Sequence, residues 1–241
     1  MNSLRDQLAV VTGASSGIGK AIALALAAQG ARLCLVGRKL ETLQAVVSAA
    51  GGEGAQHRCY EADLAVDADV HRLLASIARD FSSVDILVHG AGVIARGAVD
   101  AAGADQLDDQ YRVNVRAPYV VTRALLPALR ARRGQVLFVN SSAGLRALAS
   151  ASQYAASKHA LKALADSLRE EVNPDGVRVV SLFLGRTASP MQAAVHAYEG
   201  KPYRPELLMQ PQDVAEMAVH ALTLARTAEV TDISMRPLLK T

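Results

Sequence analysis

Short apolar runs alternate with longer helix-like segments along almost the whole chain. The first four runs are Leu8–Thr12, Leu33–Val36, His57–Glu61 and Val84–Val88. The segments between them repeat apolar residues every three or four positions, which is typical of helices that bury one face. Parallel strands need a crossover between them, so strict alternation of this kind predicts an α/β fold built on a parallel sheet.

The same alternation continues through the second half of the chain. Right-handed crossovers leave few possible topologies, and the doubly wound sheet is the leading one. No composition shift marks an internal boundary, so we predict one domain over residues 1–241. The remaining predicted strands are Gln135–Asn140, Val177–Leu184 and Val230–Met235, and the long helices are Leu107–Ala131 and Tyr154–Val172.

Residues 185–210 show no sustained period and contain several prolines. Pro211 suits the first turn of a helix that runs to about Ala225. We expect the segment from about 186 to 210, which includes Met191–Gln210, to be a lid that closes over a ligand and excludes water. A plain surface loop is the alternative.

The first apolar run ends in a glycine-rich turn, Thr12–Gly19, with the sequence Thr-Gly-Ala-Ser-Ser-Gly-Ile-Gly. Gly13 permits a tight turn, Gly17 lets the backbone approach a ligand, and Gly19 allows the following helix to pack on the strand. The helix N-terminus then offers N–H groups and a positive dipole end to a pyrophosphate. Because a strand precedes and a helix follows, the turn predicts a dinucleotide site.

The spacing Thr-Gly-x-x-x-Gly-x-Gly resembles that of the short-chain dehydrogenase/reductase family, and the resemblance covers nearly the whole chain. It implies a single Rossmann-fold domain of about this length, with a seven-stranded parallel sheet and helices on both faces. It also implies an oxidoreductase that uses a nicotinamide cofactor and a small-molecule substrate.

The end of the second strand indicates which nicotinamide cofactor binds. A carboxylate there would pair with the ribose hydroxyls of NAD, but this chain has Gly37 and Arg38. The planar fork of Arg38 suits a 2′-phosphate, and an Arg here accompanies NADP use in the family. We therefore predict NADP(H), with NAD(H) less favoured. Arg38 as an ordinary surface cation is the alternative, and Ser16 stands where many NADP-dependent relatives carry a second basic residue.

Tyr154 and Lys158 lie four positions apart at the start of a predicted helix, so their side chains share one face. A nearby ammonium favours the phenolate and should lower the pKa of Tyr154, which suits a general acid/base. Ser141 precedes Tyr154 by thirteen positions and follows the fifth strand. The set matches the family's Ser, Tyr and Lys, which implies that Ser141 polarises the substrate oxygen and Lys158 also binds the nicotinamide ribose.

Asn114 interrupts an apolar helical run, where an Asn is otherwise unfavourable. The resemblance implies that it holds a water of a proton relay from Lys158, and a local helix-kink stabiliser is the alternative. The predicted catalytic residues are therefore Ser141, Tyr154, Lys158 and Asn114, whereas the adjacent Ser142 is interpreted as structural.

The remaining cofactor contacts follow from the resemblance. Asp63 matches the family residue that meets adenine, although an Asp after a strand also suits a helix N-cap. His89 departs from the family's Asn and is interpreted as a structural hydrogen-bonding residue, and Leu184 replaces the family's Pro before Gly185. Thr187 or Ser189 is expected to reach the carboxamide or pyrophosphate. The predicted cofactor-binding residues are Gly13, Ser15, Ser16, Gly17, Ile18, Gly19, Arg38, Asp63, Leu64, Gly90, Ala91, Gly92, Tyr154, Lys158, Gly185 and Thr187.

Charge and composition exclude several other classes. The net charge is +3, but the densest basic group, Arg130 to Arg133, lies at a predicted helix end, where it complements the helix dipole. We therefore expect no nucleic-acid partner. Cys34 and Cys59 lie in apolar strand-like runs and are expected to be buried free thiols, and no Cys/His spacing predicts a metal site. With no signal peptide and no membrane span in view, the chain is expected to be cytoplasmic.

The favoured function is interconversion of a carbonyl and an alcohol by hydride transfer, with Tyr154 as general acid/base. The alternatives are an NAD-dependent alcohol dehydrogenase, an NADP-binding regulator without turnover, and a nucleotide-sugar epimerase or dehydratase; the last usually carries an extra C-terminal region. Relatives commonly pair the helices that match Leu107–Ala131 and Tyr154–Val172, which implies a homodimer or homotetramer. Substrate identity, stereochemistry and direction are not encoded in any motif of the chain.

Overall fold

A computed structural model describes residues 3–51 and 56–239. Its centre is a seven-stranded sheet in the order β3-β2-β1-β4-β5-β6-β7, and every pair of neighbouring strands is parallel. The predicted fold class is confirmed. The strands are β1 (Leu8–Thr12), β2 (Arg32–Gly37), β3 (Arg58–Glu61), β4 (Ile86–His89), β5 (Gln135–Ser141), β6 (Arg178–Leu184) and β7 (Asp232–Met235).

Helices cover both faces of the sheet, as alternation along the chain predicts. The helices are α1 (Gly17–Ala28), α2 (Leu40–Ala49), α3 (Asp67–Asp80), α4 (Ala104–Tyr111), α5 (Ala117–Arg132), α6 (Ser152–Val172), α7 (Pro190–Tyr198) and α8 (Pro211–Thr223). None of the described helices is both long and apolar enough to cross a membrane.

Two hydrophobic cores form because side chains alternate between the faces of each strand. On β1, Ala9 and Val11 face the core shared with α1 and α8, whereas Leu8 and Val10 face the core shared with α3, α5 and α6. The central strands are buried on both faces, which is why they read as continuous apolar runs in the sequence. Cys34 is buried, Cys59 is half-buried, and both thiols are free.

Two regions differ from the predicted organisation. The helical region expected over Leu107–Ala131 begins at Ala104, and a π-helical turn over Arg112–Arg116 divides it into α4 and α5. Residues 185–210 show no sustained period in the sequence, but they contain α7 and a 3₁₀ turn over Pro205–Leu207. Ser189 caps α7 by accepting a hydrogen bond from Gln192 N, and Pro190 occupies its first turn.

The topology places the functional loops at one edge. The strand order reverses between β1 and β4, whose neighbours continue outward in opposite directions. Open parallel sheets bind ligands outside the carboxyl ends of their strands at such a point. The glycine-rich turn after β1 and the loops after β4, β5 and β6 meet there.

Candidate active site

A cleft of about 760 Å³ opens at the carboxyl edge of the sheet. It gathers residues from every loop that the sequence singled out, including the glycine-rich turn, the loop after β5 and the start of α6. Only Asn114 among the predicted site residues lies outside its lining. The predicted residues that line it are Gly13, Ser15, Ser16, Gly17, Ile18, Gly19, Arg38, Asp63, Leu64, Gly90, Ala91, Gly92, Ser141, Tyr154, Lys158, Gly185 and Thr187.

The glycine-rich turn has the geometry of a backbone cradle. Gly13 adopts a φ of +66°, and a Cβ on it would lie 2.6 Å from the backbone of Ala91. A Cβ on Gly19 would lie 2.3 Å from the carbonyl oxygen of Gly13, so only glycine lets α1 pack this closely on β1. Ser16 is the N-cap of α1 but its side chain does not cap the helix, which leaves first-turn N–H groups available to an anion.

Thr12 fixes the loop after β4 beside this turn. Its hydroxyl donates to the carbonyl of Val88 (3.3 Å) and accepts hydrogen bonds from the backbone N–H groups of Gly90 (3.2 Å) and Ala91 (3.3 Å). The buried hydroxyl of Thr12 therefore holds the loop after β4 against the end of β1, where the glycine-rich turn begins.

Arg38, the residue expected from the sequence to select NADP, follows the end of β2. Arg38 is exposed and lines the cleft, and it makes no ion pair with any of the described residues. Glu61, which faces Gly37 across the β2–β3 pair, accepts a hydrogen bond from Leu40 N (3.1 Å) and so is engaged at the start of α2. The guanidinium of Arg38 is thus available to a phosphate.

Asp63 lines the cleft beside Leu64 but does not cap α3. Its Oδ1 accepts a hydrogen bond from Ala65 N (2.9 Å), and its own N–H donates to Asp69 (3.0 Å). The N-cap of α3 is Val66, so the helix-capping alternative for Asp63 is wrong. The local turn instead orients the Asp63 backbone and side chain at the cleft.

The first turns of α6 and the end of β5 bring the predicted catalytic side chains into this cleft. Lys158 is buried and donates a hydrogen bond from Nζ to the carbonyl of Val139 (3.1 Å), and Nζ lies 5.8 Å from the centre of the Tyr154 ring. The hydroxyl of Ser141 accepts a hydrogen bond from Ala143 N (3.1 Å) in the 3₁₀ turn after β5. Ser142, its neighbour, is exposed.

The titration of this pair differs from the sequence-based expectation. Burial raises the pKa of Tyr154 above its usual value, and hydrogen bonding with Ser141 lowers it only in part. Lys158 was expected to lower it, but its Nζ hydrogen bonds to Val139 instead of the phenol, so desolvation dominates. Burial also lowers the pKa of Lys158 to about 8. Tyr154 is therefore a neutral phenol at pH 7, which is the form that donates a proton.

Asn114 lies behind the cleft, fully buried in the π-helical turn between α4 and α5. Its amide accepts from Val93 N (2.9 Å), donates to the carbonyl of Val93 (2.9 Å) and donates to Ser157 Oγ (3.0 Å). Ser157 in turn donates to the carbonyl of Tyr154 (2.8 Å). Asn114 therefore links the loop after β4 to α6, and its role in a water relay stays a prediction.

A second buried amide joins β5 to α6. Asn140 donates from Nδ2 to the carbonyl of Lys158 (3.2 Å) and accepts from Ser141 N (2.7 Å). A Cβ on Gly144 would lie 2.8 Å from both Asn140 Oδ1 and the Lys158 carbonyl oxygen, so this crossing leaves no room for a side chain. Asn140 was not among the predicted site residues, although it directly precedes Ser141.

His89 has the structural role expected from the sequence. It is buried, stacks on Phe138 with ring centroids 4.8 Å apart, and hydrogen-bonds Thr122 through Nε2 (2.7 Å). Burial lowers the pKa of His89 to about 3, so the ring is neutral at pH 7. It does not line the cleft.

Sequence reasoning missed a charged group at the end of the cleft beside residues 186–210, the predicted lid. Arg96, in the loop after β4, and Arg186, in the loop after β6, both line the cleft and both pair with Glu199 at the end of α7. These residues are far apart in sequence and belong to no motif, so only the fold reveals that they meet.

Known proteins resemble this chain over its full length. A family model described as short chain dehydrogenase matches residues 7–200. An uncharacterised oxidoreductase from Staphylococcus epidermidis is 30% identical over 239 residues, which is 99% of this chain and 100% of the relative.

Solved structures of other proteins also resemble this chain. A metagenomic short-chain oxidoreductase in complex with NADP is 32% identical, covers 99% of this chain and 100% of its own, and superposes with a TM-score of 0.83. An alcohol dehydrogenase from the archaeon Thermococcus sibiricus, complexed with 5-hydroxy-NADP, is 26% identical over 98% of each chain with a TM-score of 0.86. With the family model covering most of its length, this chain belongs to the short-chain dehydrogenase/reductase family.

Proposed function

We propose that the protein binds NADP(H) and interconverts a carbonyl, either a ketone or an aldehyde, with the corresponding alcohol. One observation carries the proposal: Ser141, Tyr154 and Lys158 line the same cleft as the glycine-rich cradle and Arg38. The NADP found in related structures supports the choice of cofactor. When bound, the nicotinamide would supply or accept the hydride.

The residues of this chain would hold the cofactor along the cleft. The N-terminus of α1 would hold the pyrophosphate, Arg38 the 2′-phosphate, and Asp63 with Leu64 the adenine. Gly90–Gly92 would let the backbone approach the cofactor, and Gly185 with Thr187 would hold the nicotinamide end. Lys158 would bind the nicotinamide ribose.

Three side chains would carry out the acid–base chemistry: Ser141 at the end of β5, and Tyr154 and Lys158 on α6. Ser141 donates a hydrogen bond to the substrate oxygen and so polarises the carbonyl. Tyr154 gives its phenolic proton to that oxygen in reduction and takes it back in oxidation. Lys158, largely protonated at pH 7 with a pKa of about 8, stabilises the phenolate left behind.

A reductase assay tests the function. NADPH and NADH are each offered with a panel of ketones and aldehydes, and loss of the reduced nicotinamide absorbance is followed. We expect turnover with NADPH on at least one carbonyl. NADPH binding without turnover on any carbonyl would favour a regulator, and faster turnover with NADH would favour an NAD-dependent alcohol dehydrogenase.

Arg38→Asp should reverse the cofactor preference. The change removes the cation available to the 2′-phosphate and places a carboxylate there that repels it, so KM for NADPH should rise by about tenfold or more. KM for NADH should fall or stay the same. Arg72→Asp, on the exposed face of α3, makes the same charge change outside the cleft and should leave both values unchanged. An unaltered NADPH preference in Arg38→Asp would exclude Arg38 from cofactor selection.

We further propose a single catalytic domain that assembles as a homodimer or homotetramer through α5 and α6, in the cytoplasm. Tyr119 on α5 is an exposed aromatic side chain, as expected of a helix that packs on a partner. Sedimentation equilibrium tests the assembly, and a monomer at micromolar concentration would contradict it.

A further inference from the structure

The cluster at the lid end of the cleft contains more positive than negative charge. Glu199 accepts hydrogen bonds from Arg96 Nη1 (3.0 Å) and twice from Arg186 Nη2 (2.8 Å to each oxygen), and Lys201 Nζ lies 3.2 Å from its Oε2. The single carboxylate of Glu199 thus pairs with three cations. Hydrogen bonds and charge from Arg186 and Lys201 lower the pKa of the Glu199 carboxyl below its usual value although burial raises it, so the group is ionised at pH 7.

Neighbouring groups do not neutralise the excess positive charge of this cluster. His196 Nδ1 lies 2.8 Å from the carbonyl of Gln192, and its Nε2 lies 3.3 Å from Arg186 Nη1. The imidazole of His196 therefore supplies no negative charge to the cluster. The carboxylates that line the cleft are Asp63 and Asp109, and neither pairs with Arg96 or Arg186; Asp109 is exposed on α4.

Arg96 has a donor left over. Its side chain is only 18% exposed, and its Nε is buried without a hydrogen-bond acceptor among the described residues. Nε itself has almost no accessible surface, so a ligand in the cleft would meet Arg96 through Nη2, which is accessible and has no acceptor among the described residues. Arg186 Nε is likewise accessible and without an acceptor among the described residues, and guanidinium groups form strong charge-assisted hydrogen bonds with carboxylates.

We propose that the carbonyl substrate carries a carboxylate, which binds Arg96 and Arg186 at the lid end of the cleft while its carbonyl lies at Tyr154. Both arginines line the cleft, whereas Glu199 and Lys201 do not, so the cations face the ligand and their counter-ion lies behind them. The inference rests on the proposed function and adds the substrate class to it.

The competing interpretation is a purely structural clasp. Glu199 ends α7, so its pairs with Arg96 and Arg186 also fasten the lid to two loops of the sheet edge. A clasp alone would need one cationic partner for Glu199 and would not require two arginines to line the cleft. The two roles make different predictions for charged and neutral ligands.

Matched pairs of ligands test the proposal. Pyruvate, acetoacetate and laevulinate space the carboxylate progressively further from the ketone, and each is compared with its methyl ester. Binding to the enzyme–NADP⁺ complex is measured by calorimetry, which needs no turnover. At least one acid should bind about tenfold or more tightly than its ester, because only the acid forms charge-assisted hydrogen bonds.

Single substitutions test which residues cause the tighter binding of the acid. Arg96→Met and Arg186→Met should each remove most of the difference between acid and ester while leaving ester and NADP⁺ affinity unchanged. Arg204→Met, an exposed lid cation outside the cleft lining, should keep the difference. Glu199→Gln should bind the acid at least as tightly as the unaltered protein, since it removes the competing carboxylate.

Three results would overturn the proposal. These are acids that bind no better than esters in every pair, an acid preference that survives both arginine substitutions, or an equal loss of acid, ester and NADP⁺ binding in Arg96→Met, which a clasp alone predicts. A failure of the proposed reductase function would give a different result. Acid-selective binding without turnover on any carbonyl would support the carboxylate site and contradict the reductase activity.

Discussion

Tyr154→Phe should lower kcat/KM for the carbonyl substrate by about two to four orders of magnitude, the range contributed by a positioned general acid. The variant keeps the aromatic ring beside Lys158 and removes only the group that gives and takes the proton. Stability and NADPH affinity should therefore change little. Steady-state kinetics and NADPH fluorescence titration on the same preparation measure the two effects separately.

Tyr111→Phe is the matched control, because it removes one hydroxyl from an exposed tyrosine at the end of α4 outside the cleft. It should retain full activity. If Tyr154→Phe kept more than about a tenth of the activity, the phenol would contribute far less than a general acid does, and another proton donor would be required.

Arg178→Met should lower the free energy of unfolding by about 2–4 kcal/mol, because it removes the donor from buried and part-buried acceptors. Arg178 begins β6 and is only 6% exposed. Its guanidinium donates to Gln135 Oε1 and to carbonyls in the last turn of α8 and in the loop after it, so it ties the base of the sheet to the last helix. The acceptors are Gln135 Oε1, Leu222 O, Leu224 O, Ala225 O and Ala228 O.

Arg130→Met provides the comparison. Arg130 pairs with Asp175 on the surface, where both side chains are more than 40% exposed, and such pairs contribute about 0–1 kcal/mol. Urea unfolding at one protein concentration compares the two variants. A loss below about 1 kcal/mol in Arg178→Met would show that water or local rearrangement satisfies these carbonyls when the guanidinium is removed.

The sheet and the cofactor end of the cleft could be predicted because their chemistry is local in sequence. A buried parallel strand must be apolar throughout, and a tight strand-to-helix turn needs glycine where Gly13 and Gly19 stand. Tyr154 and Lys158 share one helix, so their spacing alone places them together. Local rules of this kind apply before any long-range contact is known.

The secondary structure of residues 186–210 was predicted less well, although one local pattern indicated a helix start. Ser189 followed by Pro190 is a favourable helix start, and it does begin α7. The short length of the helix and the prolines after it obscured the periodicity. The π-helical turn around Asn114 has no comparable local pattern, because it depends on the contacts of that amide with Val93 and Ser157.

The electrostatics of the site could not be predicted from the chain. Arg96 and Glu199 are 103 positions apart, and their 3.0 Å contact follows from the strand order and not from any motif. The pKa of Tyr154 likewise depends on how completely α6 and the loop after β5 remove water from the phenol. Sequence spacing indicates which groups meet, but not how strongly each is desolvated.

The most direct test of the central claim is transfer of deuterium from the cofactor to the substrate. NADPH labelled with deuterium at the transferable nicotinamide position is incubated with the protein and a carbonyl that it reduces, and the alcohol is analysed by mass spectrometry. The account predicts one deuterium on the former carbonyl carbon, and labelled alcohol that forms at least about a hundredfold more slowly with Tyr154→Phe under the same conditions. Alcohol that forms without the label, or no alcohol from any carbonyl despite NADPH binding, would contradict it.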